Sequence, residues 1–573
     1  MNSNFTRLKK TVNLFLLLII PLLAKSQDHW TDLLQTSDPT FIEMQQAFNN
    51  YWDPYDVVGG KYIENGVLKK AYGWKQFKRW EWFAGSRLLP NGEFPENNIT
   101  MQEWNNYFNS QQNSSSFQGS SSSSSSSSYW TYAGSNSSGG GYAGIGRLNC
   151  IAFHPSLSNT FWVGSPAGGL WKTTDGGTTW TTNTDNSLPV LGVSSMVIDY
   201  NNPDIMYIAT GDGESNWNSS THSAGVLKTI DGGATWNTTG LNWSTSQELI
   251  IRRLLMDPNN SQILFAASKD GIWRTTDGGS TWTKRVSGFF RDLEFKPGNS
   301  NYMYASTHEG SGSGAKIYRS TNNGLTWTQV HSFSSSTVVQ CELSVTADNP
   351  SLVEFIAVNP TRGMEGLYRS TNSGATYTKY LNAQGSTNTN FLSSEYDASG
   401  NKGQGTYDLT YLINPNDEDN IWIGGVNTWE STDGGTTWTL NNFWTSYSVY
   451  NPNSVQVVHA DKHFHAYNGN KLYECNDGGL YVSSDNGVSW TDISNGLGIG
   501  QIYRIGTSAT TSNNVICGLQ DNGSKELTNG GWDDVTGGDG MECIIDYTNS
   551  GIEYGTYVLG EIKKTTNGWG SST

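Results

Sequence analysis

Cysteine is scarce in this chain of 573 residues, and its pattern excludes some kinds of structure. The five cysteines are Cys150, Cys341, Cys475, Cys517 and Cys543. They show no C-x-x-C spacing, and their odd number excludes complete intramolecular pairing. Two expectations remain open: buried cysteines carried on strands, or a disulfide among the last three in an oxidising compartment.

Positive charge is also scarce, since 34 basic residues stand against 51 acidic ones and the net charge is −17. That balance disfavours a nucleic acid or an anionic lipid surface as a partner. Prolines number 15, and several of them, such as Pro155 and Pro203, fall where a first hairpin turn is expected. A turn uses the fixed φ of proline without losing a ladder hydrogen bond.

Long apolar runs are missing after the N-terminus, so no later segment is expected to span a membrane. The one early run, Val12 to Leu23, follows basic residues and is short for a bilayer span. It predicts a signal peptide over residues 1–26, with a membrane anchor as the alternative. We therefore expect a secreted or cell-surface protein with no membrane span after signal removal.

Glycine, tryptophan and tyrosine are plentiful at 65, 23 and 28 residues, which indicates turn-rich β structure with aromatic layers. The stretch Lys172 to Trp180 reads K-T-T-D-G-G-T-T-W, and near-copies return along the chain. A period of about 40–50 residues is typical of small all-β blades. The central acidic or amide position of the copies is Asp175, Asp231, Asp277, Asn322, Asn372, Asp433 and Asp485, with a damaged eighth copy at Asn567.

Each copy can be interpreted as a tight turn held by its own side chains. Thr173 and Asp175 supply acceptors, the glycines allow positive φ, and Trp180 returns to the apolar layer. The alternative is that these aspartates catalyse or bind calcium. A chemical site is needed once and a structural turn in every unit, so the repetition favours a structural role.

This pattern, Ser/Thr-x-Asp-x-Gly-x-Thr-Trp, resembles the Asp-box or BNR repeat of sialidases, the sortilin N-terminal domain and tandem-propeller endoglucanases. The resemblance implies an all-β protein, a β-propeller of four-stranded blades, from residue 147 to 573. About nine units can be counted, as one wide ring or as one ring plus part of a second. The last unit stops at the box turn, so either residues 129–147 supply the missing strand or, as we favour, the C-terminus is truncated.

Residues 27–108 differ in kind, because apolar residues from Trp30 to Trp52 recur at helical spacing. We expect a helical N-terminal segment there, followed by a flexible Ser/Gly-rich linker over 109–146. The run from Gly73 to Phe83 resembles the helical lead-in of exported proteins of the Gram-negative Bacteroidetes. Its basic residues form either a binding patch or a solvated helix face.

One segment concentrates candidate metal ligands in alternate positions, which a strand would project from one face. Two imidazoles at that spacing can converge on one ion, so a divalent metal is the candidate cofactor. The alternative is that these groups bond backbone and water inside a propeller channel. The residues are His459, Asp461, His463 and His465.

Three Asx-Gly loops follow in successive units and share a polar character. With the Asp461/His463 strand they resemble signatures of Bacteroidetes Asp-box proteins, and they predict a ligand site around one rim or channel. The alternative is that Asx-Gly loops are simply good turns. The predicted ligand-binding residues are Asp461, His463, Asp477, Asp521, Asn522 and Asp539. Exposed tryptophans such as Trp217, Trp243 and Trp429 could stack on sugars or pack in the core.

Two hydrolase families can be tested against the sequence. Sialidase chemistry needs three converging arginines, and no arginine motif precedes the first blade. The xyloglucan-type endoglucanases resemble this chain more, but their first-blade T-D-x-G-G loop is Ser165-Pro166-Ala167-Gly168-Gly169 here. Because proline is neither acid nor base, no catalytic residue carries over. We therefore expect a binding or scaffold protein for a glycan or protein ligand, with a polysaccharide-active glycoside hydrolase as the alternative.

Overall fold

The computed structural model describes residues 30–34, 39–95, 99, 101–106, 132–139, 143–186, 188–214, 221–309, 313–383, 388–447, 450–451, 454–528 and 531–572. The chain divides into two compact units, Met1–Glu103 and Trp104–Thr573. The predicted signal peptide lies outside the described residues. Within them, no helix is both long and apolar enough to cross a membrane.

The first unit is a small helical body with one hairpin. Its elements are a 3-10 helix (Trp30–Leu33), α1 (Phe41–Trp52), a 3-10 turn (Asp53–Tyr55), β1 (Lys61–Glu64), β2 (Val67–Lys70) and α2 (Trp74–Gly85). Thr40 and Glu43 cap α1 reciprocally, with the Glu43 amide donating to Thr40 Oγ1 at 3.3 Å. Phe48 and Phe77 stack at 3.8 Å and hold α1 against α2. The predicted helical segment is confirmed, and the hairpin is an element that its apolar periodicity did not indicate.

The described part of the second unit folds into nine antiparallel sheets, eight with four strands and one with three, each built from consecutive strands. The first four sheets contain β3–β6 (Cys150–Phe153, Phe161–Gly164, Leu170–Thr173, Thr181–Thr182), β7–β10 (Val193–Ile198, Met206–Thr210, Gly225–Thr229, Asn237–Asn242), β11–β14 (Ile251–Asp257, Asn260–Ser268, Gly271–Thr275, Thr283–Val286) and β15–β18 (Phe290–Phe295, Met303–Thr307, Lys316–Ser320, Thr328–Ser332).

The next three sheets contain β19–β22 (Gln340–Val345, Val353–Val358, Met364–Ser370, Thr378–Asn382), β23–β26 (Thr410–Asn414, Asp417–Gly424, Thr428–Ser431, Thr439–Asn442) and β27–β30 (Lys462–Asn468, Lys471–Asn476, Gly479–Ser483, Thr491–Asp492). The last two contain β31–β34 (Ile502–Thr507, Val515–Leu519, Ser524–Thr528, Gly531–Thr536) and β35–β37 (Cys543–Ile545, Glu553–Thr556, Ile562–Thr565).

The first seven sheets form a closed ring. Their inner strands are β3, β7, β11, β15, β19, β23 and β27; each packs against the next, and β27 packs against β3. The two further sheets pack against each other through β31 and β35. The propeller prediction is confirmed, and the structure decides between its two forms: one complete ring of seven blades, followed by two additional blade-like sheets.

The ring closes through a shared apolar core between its first and seventh blades. Phe161 and Tyr473 meet edge to face at 5.4 Å, and the Trp180 indole donates to the Ile493 carbonyl at 3.0 Å. Ile145 is 1% exposed, and its amide donates to the Gly478 carbonyl at 2.9 Å. Residues 143–146, at the end of the predicted linker, therefore pack against the ring, because burial of Ile145 offsets the entropic cost of ordering them.

The repeated turn motif is hydrogen-bonded in the same way in all eight copies. In the first, Thr173 Oγ1 donates to Asp175 Oδ1 at 2.8 Å and accepts from the Gly177 amide at 2.9 Å. The Thr179 hydroxyl and amide both donate to the Asp175 carboxylate, and these bonds hold its pKa at about 2. The carboxylates of this motif are thus occupied within their own turns.

Cysteine and tryptophan positions resolve two further alternatives. All five cysteines are buried and unpaired, so no disulfide links the last three. Trp243 and Trp429 are 7% and 5% exposed and pack in the core rather than offering a sugar-stacking face. Trp217 lies outside the described residues.

Candidate active site at one mouth of the ring

The polar loops converge at one end of the ring because neighbouring strands of each blade are antiparallel. The start of its first strand and the turn between its second and third strands lie at the same edge. Tyr407 and Asp408 precede the inner strand β23, and His459 and Asp461 precede β27. Asp477 lies in the turn between β28 and β29, at that same mouth of the ring.

Asp477 is the buried centre of the site, with 1% of its surface exposed. Its carboxylate accepts hydrogen bonds from Tyr407 Oη at 2.7 Å and from His463 Nε2 at 2.8 Å, and Arg147 Nε lies 3.7 Å away. Burial alone would raise the pKa of Asp477. Attraction to His463 and Arg147, together with the His463 and Tyr407 hydrogen bonds, outweighs burial and lowers it. Asp477 is therefore the ionised carboxylate of the site.

Asp521 reaches the same place from the turn between β32 and β33, outside the ring. Its amide donates to Asp539 Oδ1 at 2.9 Å, and the His459 ring bonds its carbonyl at 3.0 Å. The Asn522 amide group donates to the Asp477 carbonyl at 2.9 Å, which ties this turn to the seventh blade. Burial, and then repulsion from Asp477 and other carboxylates, raises the pKa of Asp521 to about 9. Asp521 therefore carries a proton at neutral pH.

Two more carboxyl groups border this pair. Burial and repulsion from Asp477 raise the pKa of Asp461 to about 7, and Gln404 Nε2 donates to Asp461 Oδ1 at 3.3 Å. Asp408 is fully buried, and burial with repulsion from Asp461 holds its pKa well above the usual value. Asp461 and Asp521 both have positive φ, 63° and 57°, a conformation that only Gly, Asn and Asp adopt readily. At neutral pH the site thus contains the ionised Asp477, the protonated Asp521, and Asp461, whose pKa lies close to that pH.

The structure brings together all six residues predicted to form one ligand site. His463 bonds the Asp477 carboxylate, Asn522 bonds the Asp477 carbonyl, and Asp539 accepts from the amide of Asp521, whose carboxyl is repelled by Asp461 and Asp477. Their role in binding a ligand stays a prediction. Arg147, Tyr407 and Asp408 complete the site and were not singled out, because each precedes a strand without any Asx-Gly motif.

The expected metal arrangement is wrong in its geometry. Strand β27 begins only at Lys462, and the positive φ of Asp461 breaks the alternation that would have aligned the four groups. His459 bonds the Asp521 carbonyl, His463 bonds Asp477, and His465 bonds Glu474 at 3.0 Å. Among the residues that the structure describes, no three or more His, Cys, Asp and Glu side chains are arranged to hold a metal ion.

A polar chamber of about 180 Å³ lies on the ring axis next to this site. Arg252 and Arg291 extend from β11 and β15 and meet the Glu214 carboxylate at 3.3 and 3.0 Å. His463 also lines the chamber, so it borders both the chamber and Asp477. Charged residues inside two otherwise apolar strands, Ile251–Asp257 and Phe290–Phe295, were the sequence signal for this chamber. The sequence does not show that these residues meet on the axis of the ring.

Pro166 occupies the turn between β4 and β5 of the first blade. The same turn carries Asp212 in the second blade, Asp477 in the seventh and Asp521 in the eighth sheet. Arg147 forms an ion pair with Asp212 at 2.9 Å and lies beside Asp477. A proline in one blade therefore does not leave the site without an acid, because equivalent turns of other blades supply carboxyl groups.

Known proteins resemble this chain over part of its length. A xyloglucanase of Hypocrea jecorina is 27% identical over 222 residues, which is 36% of this chain and 24% of that protein. A xyloglucanase of Paenibacillus sp. is 27% identical over 246 residues, 41% of this chain and 21% of that protein. The matched segments thus span about a quarter of these relatives, and no protein-family model matches.

Solved structures show the same fold. The GH74 enzyme of Niastella koreensis superposes with a TM-score of 0.53 at 16% identity, covering 77% of this chain and 67% of that one. An ancestral GH74 enzyme superposes with a TM-score of 0.52 at 15% identity, covering 77% and 61%. The chain is a β-propeller protein, and its relatives support a glycosidase-like propeller. The expectation of a non-catalytic binding or scaffold module is contradicted, because the matched relatives are xyloglucanases.

Proposed function

We propose that this protein is a glycoside hydrolase that cleaves a polysaccharide chain at the mouth of the seven-bladed ring. The observation that carries the proposal is the group of carboxyls with separated pKa values around Asp477. Glycosidases pair a protonated carboxylic acid with an ionised carboxylate. Asp521, with its pKa raised to about 9, is the proposed proton donor to the leaving oxygen.

Asp461 is the proposed partner of Asp521, acting as base or nucleophile. Its pKa of about 7 places it near the working pH, where a general base is most effective. Asp477 is too enclosed to meet a polymer, because Tyr407, His463 and Arg147 surround its carboxylate. Its negative charge instead favours the protonated form of Asp521.

Xyloglucan is the first substrate to test, because the relatives are named for it. The purified chain is incubated with xyloglucan, cellulose, xylan and starch, and new reducing ends are measured. We expect turnover of at least one β-linked polymer, with a loss of about 10²–10⁴-fold in kcat for D521N and for D461N. Asparagine also tolerates positive φ, so both variants keep the turn geometry.

The exposed Asp185 provides a matched Asp→Asn control, and D185N is expected to retain full activity. Polysaccharide binding without turnover by the wild-type protein would contradict the proposal. So would full activity in both D461N and D521N.

We also infer that the protein is exported, either secreted or held at the cell surface, with residues 1–26 removed as a signal peptide. The glycan would then be met outside the cell. The assignment of the repeated turn to the Asp-box or BNR class, with its likeness to sortilin N-terminal domains, is part of the same proposal. Sequencing the N-terminus of the exported protein tests the cleavage, and Gln27 is the expected first residue.

A further inference from the structure

His463 lies between the proposed active site and the axial chamber. It belongs to the inner strand β27, and its side chain is fully buried. On one side its Nε2 lies 2.8 Å from Asp477 Oδ1. The edge of its ring meets the Tyr407 ring at 5.0 Å with an interplanar angle of 83°. The imidazole thus has a fixed orientation against the ionised carboxylate.

The two ring nitrogens of His463 have different surroundings. An ionised carboxylate only accepts hydrogen bonds, so Nε2 must carry the hydrogen that it shares with Asp477. Nδ1 is buried and has no hydrogen-bond partner in the described part of the chain. His463 lines the chamber, whose 180 Å³ has room for about six water molecules.

A second carboxylate acts on His463 from within the chamber. Glu214 lines the same wall, interacts electrostatically with His463, and is held by Arg252 and Arg291. The imidazole therefore lies between two acidic groups, one belonging to the proposed active site and one to the ring axis. The hydrogen bond between Nε2 and Asp477 is the contact that fixes the orientation of the ring.

We propose that His463 is a positioning residue of the proposed hydrolytic site, which orients the Asp477 carboxylate and keeps it charged beside Asp521. The inference rests on the proposed function, because it requires Asp521 to be the proton donor. His463 does not touch the substrate in this arrangement. It acts through Asp477 on the protonation of Asp521.

The effect can be followed through the charged groups around both carboxyls. Asp477 faces His463, Arg147, Tyr407, His459, Lys462, Asp408, Asp461 and Asp521. Asp521 faces Asp477, Asp461, Asp539, Tyr407 and Tyr503. Loss of His463 removes a main attraction that keeps Asp477 ionised, so Asp477 binds a proton more readily. Asp521 then loses repulsion and releases its own proton at lower pH.

The test compares H463L, which fills the space but cannot donate, with H463Q, which keeps an N–H donor. H465L is the matched control, because His465 is equally buried on the same strand but bonds Glu474 instead. Two quantities are measured: the pH dependence of kcat/KM on xyloglucan, and the titration of the Asp521 carboxyl by NMR of carboxyl-labelled aspartate. The second measurement needs no substrate.

We expect H463L to move the alkaline limb and the Asp521 titration down by about one pH unit or more, H463Q to move them less, and H465L to leave them unchanged. An unchanged Asp521 titration in folded H463L, or an equal shift in H465L, would overturn the proposal. If H463L does not fold, Y407F decides: it removes the 2.7 Å hydrogen bond to Asp477 and keeps the ring, so it should shift the titration the same way. Absence of a shift in Y407F would then overturn the proposal.

A wild-type protein without hydrolytic activity would defeat the proposed function. The Asp521 titration in the variants would still decide whether His463 controls the carboxyl pair.

Discussion

Replacing Asp521 by asparagine should lower kcat by about 10²–10⁴-fold and at the same time stabilise the protein at alkaline pH. The amide is neutral and nearly isosteric with the protonated carboxyl that the folded site holds. In the wild-type protein the folded-state pKa of about 9 lies above the usual value of 3.8. Folding therefore favours the protonated form, and stability is lost as the pH rises from about 4 towards 9.

The size of this effect follows from the pKa shift. One pKa unit corresponds to about 1.4 kcal/mol. Neighbouring carboxyls share the charge, and half of the shift from 3.8 to about 9 is already worth about 3.5 kcal/mol. D521N and wild type should be equally stable near pH 4, and the advantage of D521N should grow to about that value by pH 9.

Calorimetry between pH 4 and pH 9.5 measures this difference as melting temperature. We expect D521N to melt a few degrees above the wild type at pH 9 and at the same temperature at pH 4. D185N, which changes an exposed carboxylate, should show no such divergence. A constant difference between D521N and wild type across the pH range would refute the protonated assignment of Asp521.

Three further predictions concern the ring and its core. F161A removes a fully buried ring from the core that closes blade one onto blade seven, and it should cost about 3–5 kcal/mol in urea unfolding followed by tryptophan fluorescence. A cost below about 1 kcal/mol would contradict that closure. Y411F removes a hydroxyl donor from the buried Glu354 and should cost about 1–3 kcal/mol, whereas Y447F, at an exposed tyrosine, should cost almost nothing. Finally, a thiol reagent should label none of the five cysteines in the native protein and all five after unfolding, and rapid native labelling would contradict their burial.

Local patterns predicted most of the fold. The repeated box contains its own hydrogen-bonding groups, and hairpin strands flank it, so each blade can be recognised from contiguous residues. The helical start of α1 likewise follows from the Thr40–Glu43 capping pair and apolar spacing. Ring size was not predictable in this way, because it depends on how β27 packs against β3, far apart in the sequence.

The site was predicted only in part, and for a physical reason. Asp477 and Asp521 were identifiable because Asx-Gly turns mark them. The expected alignment of the metal ligands on one strand is wrong because the φ of Asp461 breaks the alternation before β27, and no residue type reveals that angle in advance. The non-catalytic interpretation rested on Pro166 in the first blade, whereas the equivalent turns of the second, seventh and eighth sheets carry Asp212, Asp477 and Asp521.

The sequence by itself therefore determined the kind of unit, its approximate number and the loops that concentrate acidic side chains, since these depend on neighbours within a few residues. Only the tertiary structure decided the seven-bladed closure and the meeting of Asp461, Asp477 and Asp521. It also decided their different protonation, because burial and charge repulsion arise only when residues from separate blades come together.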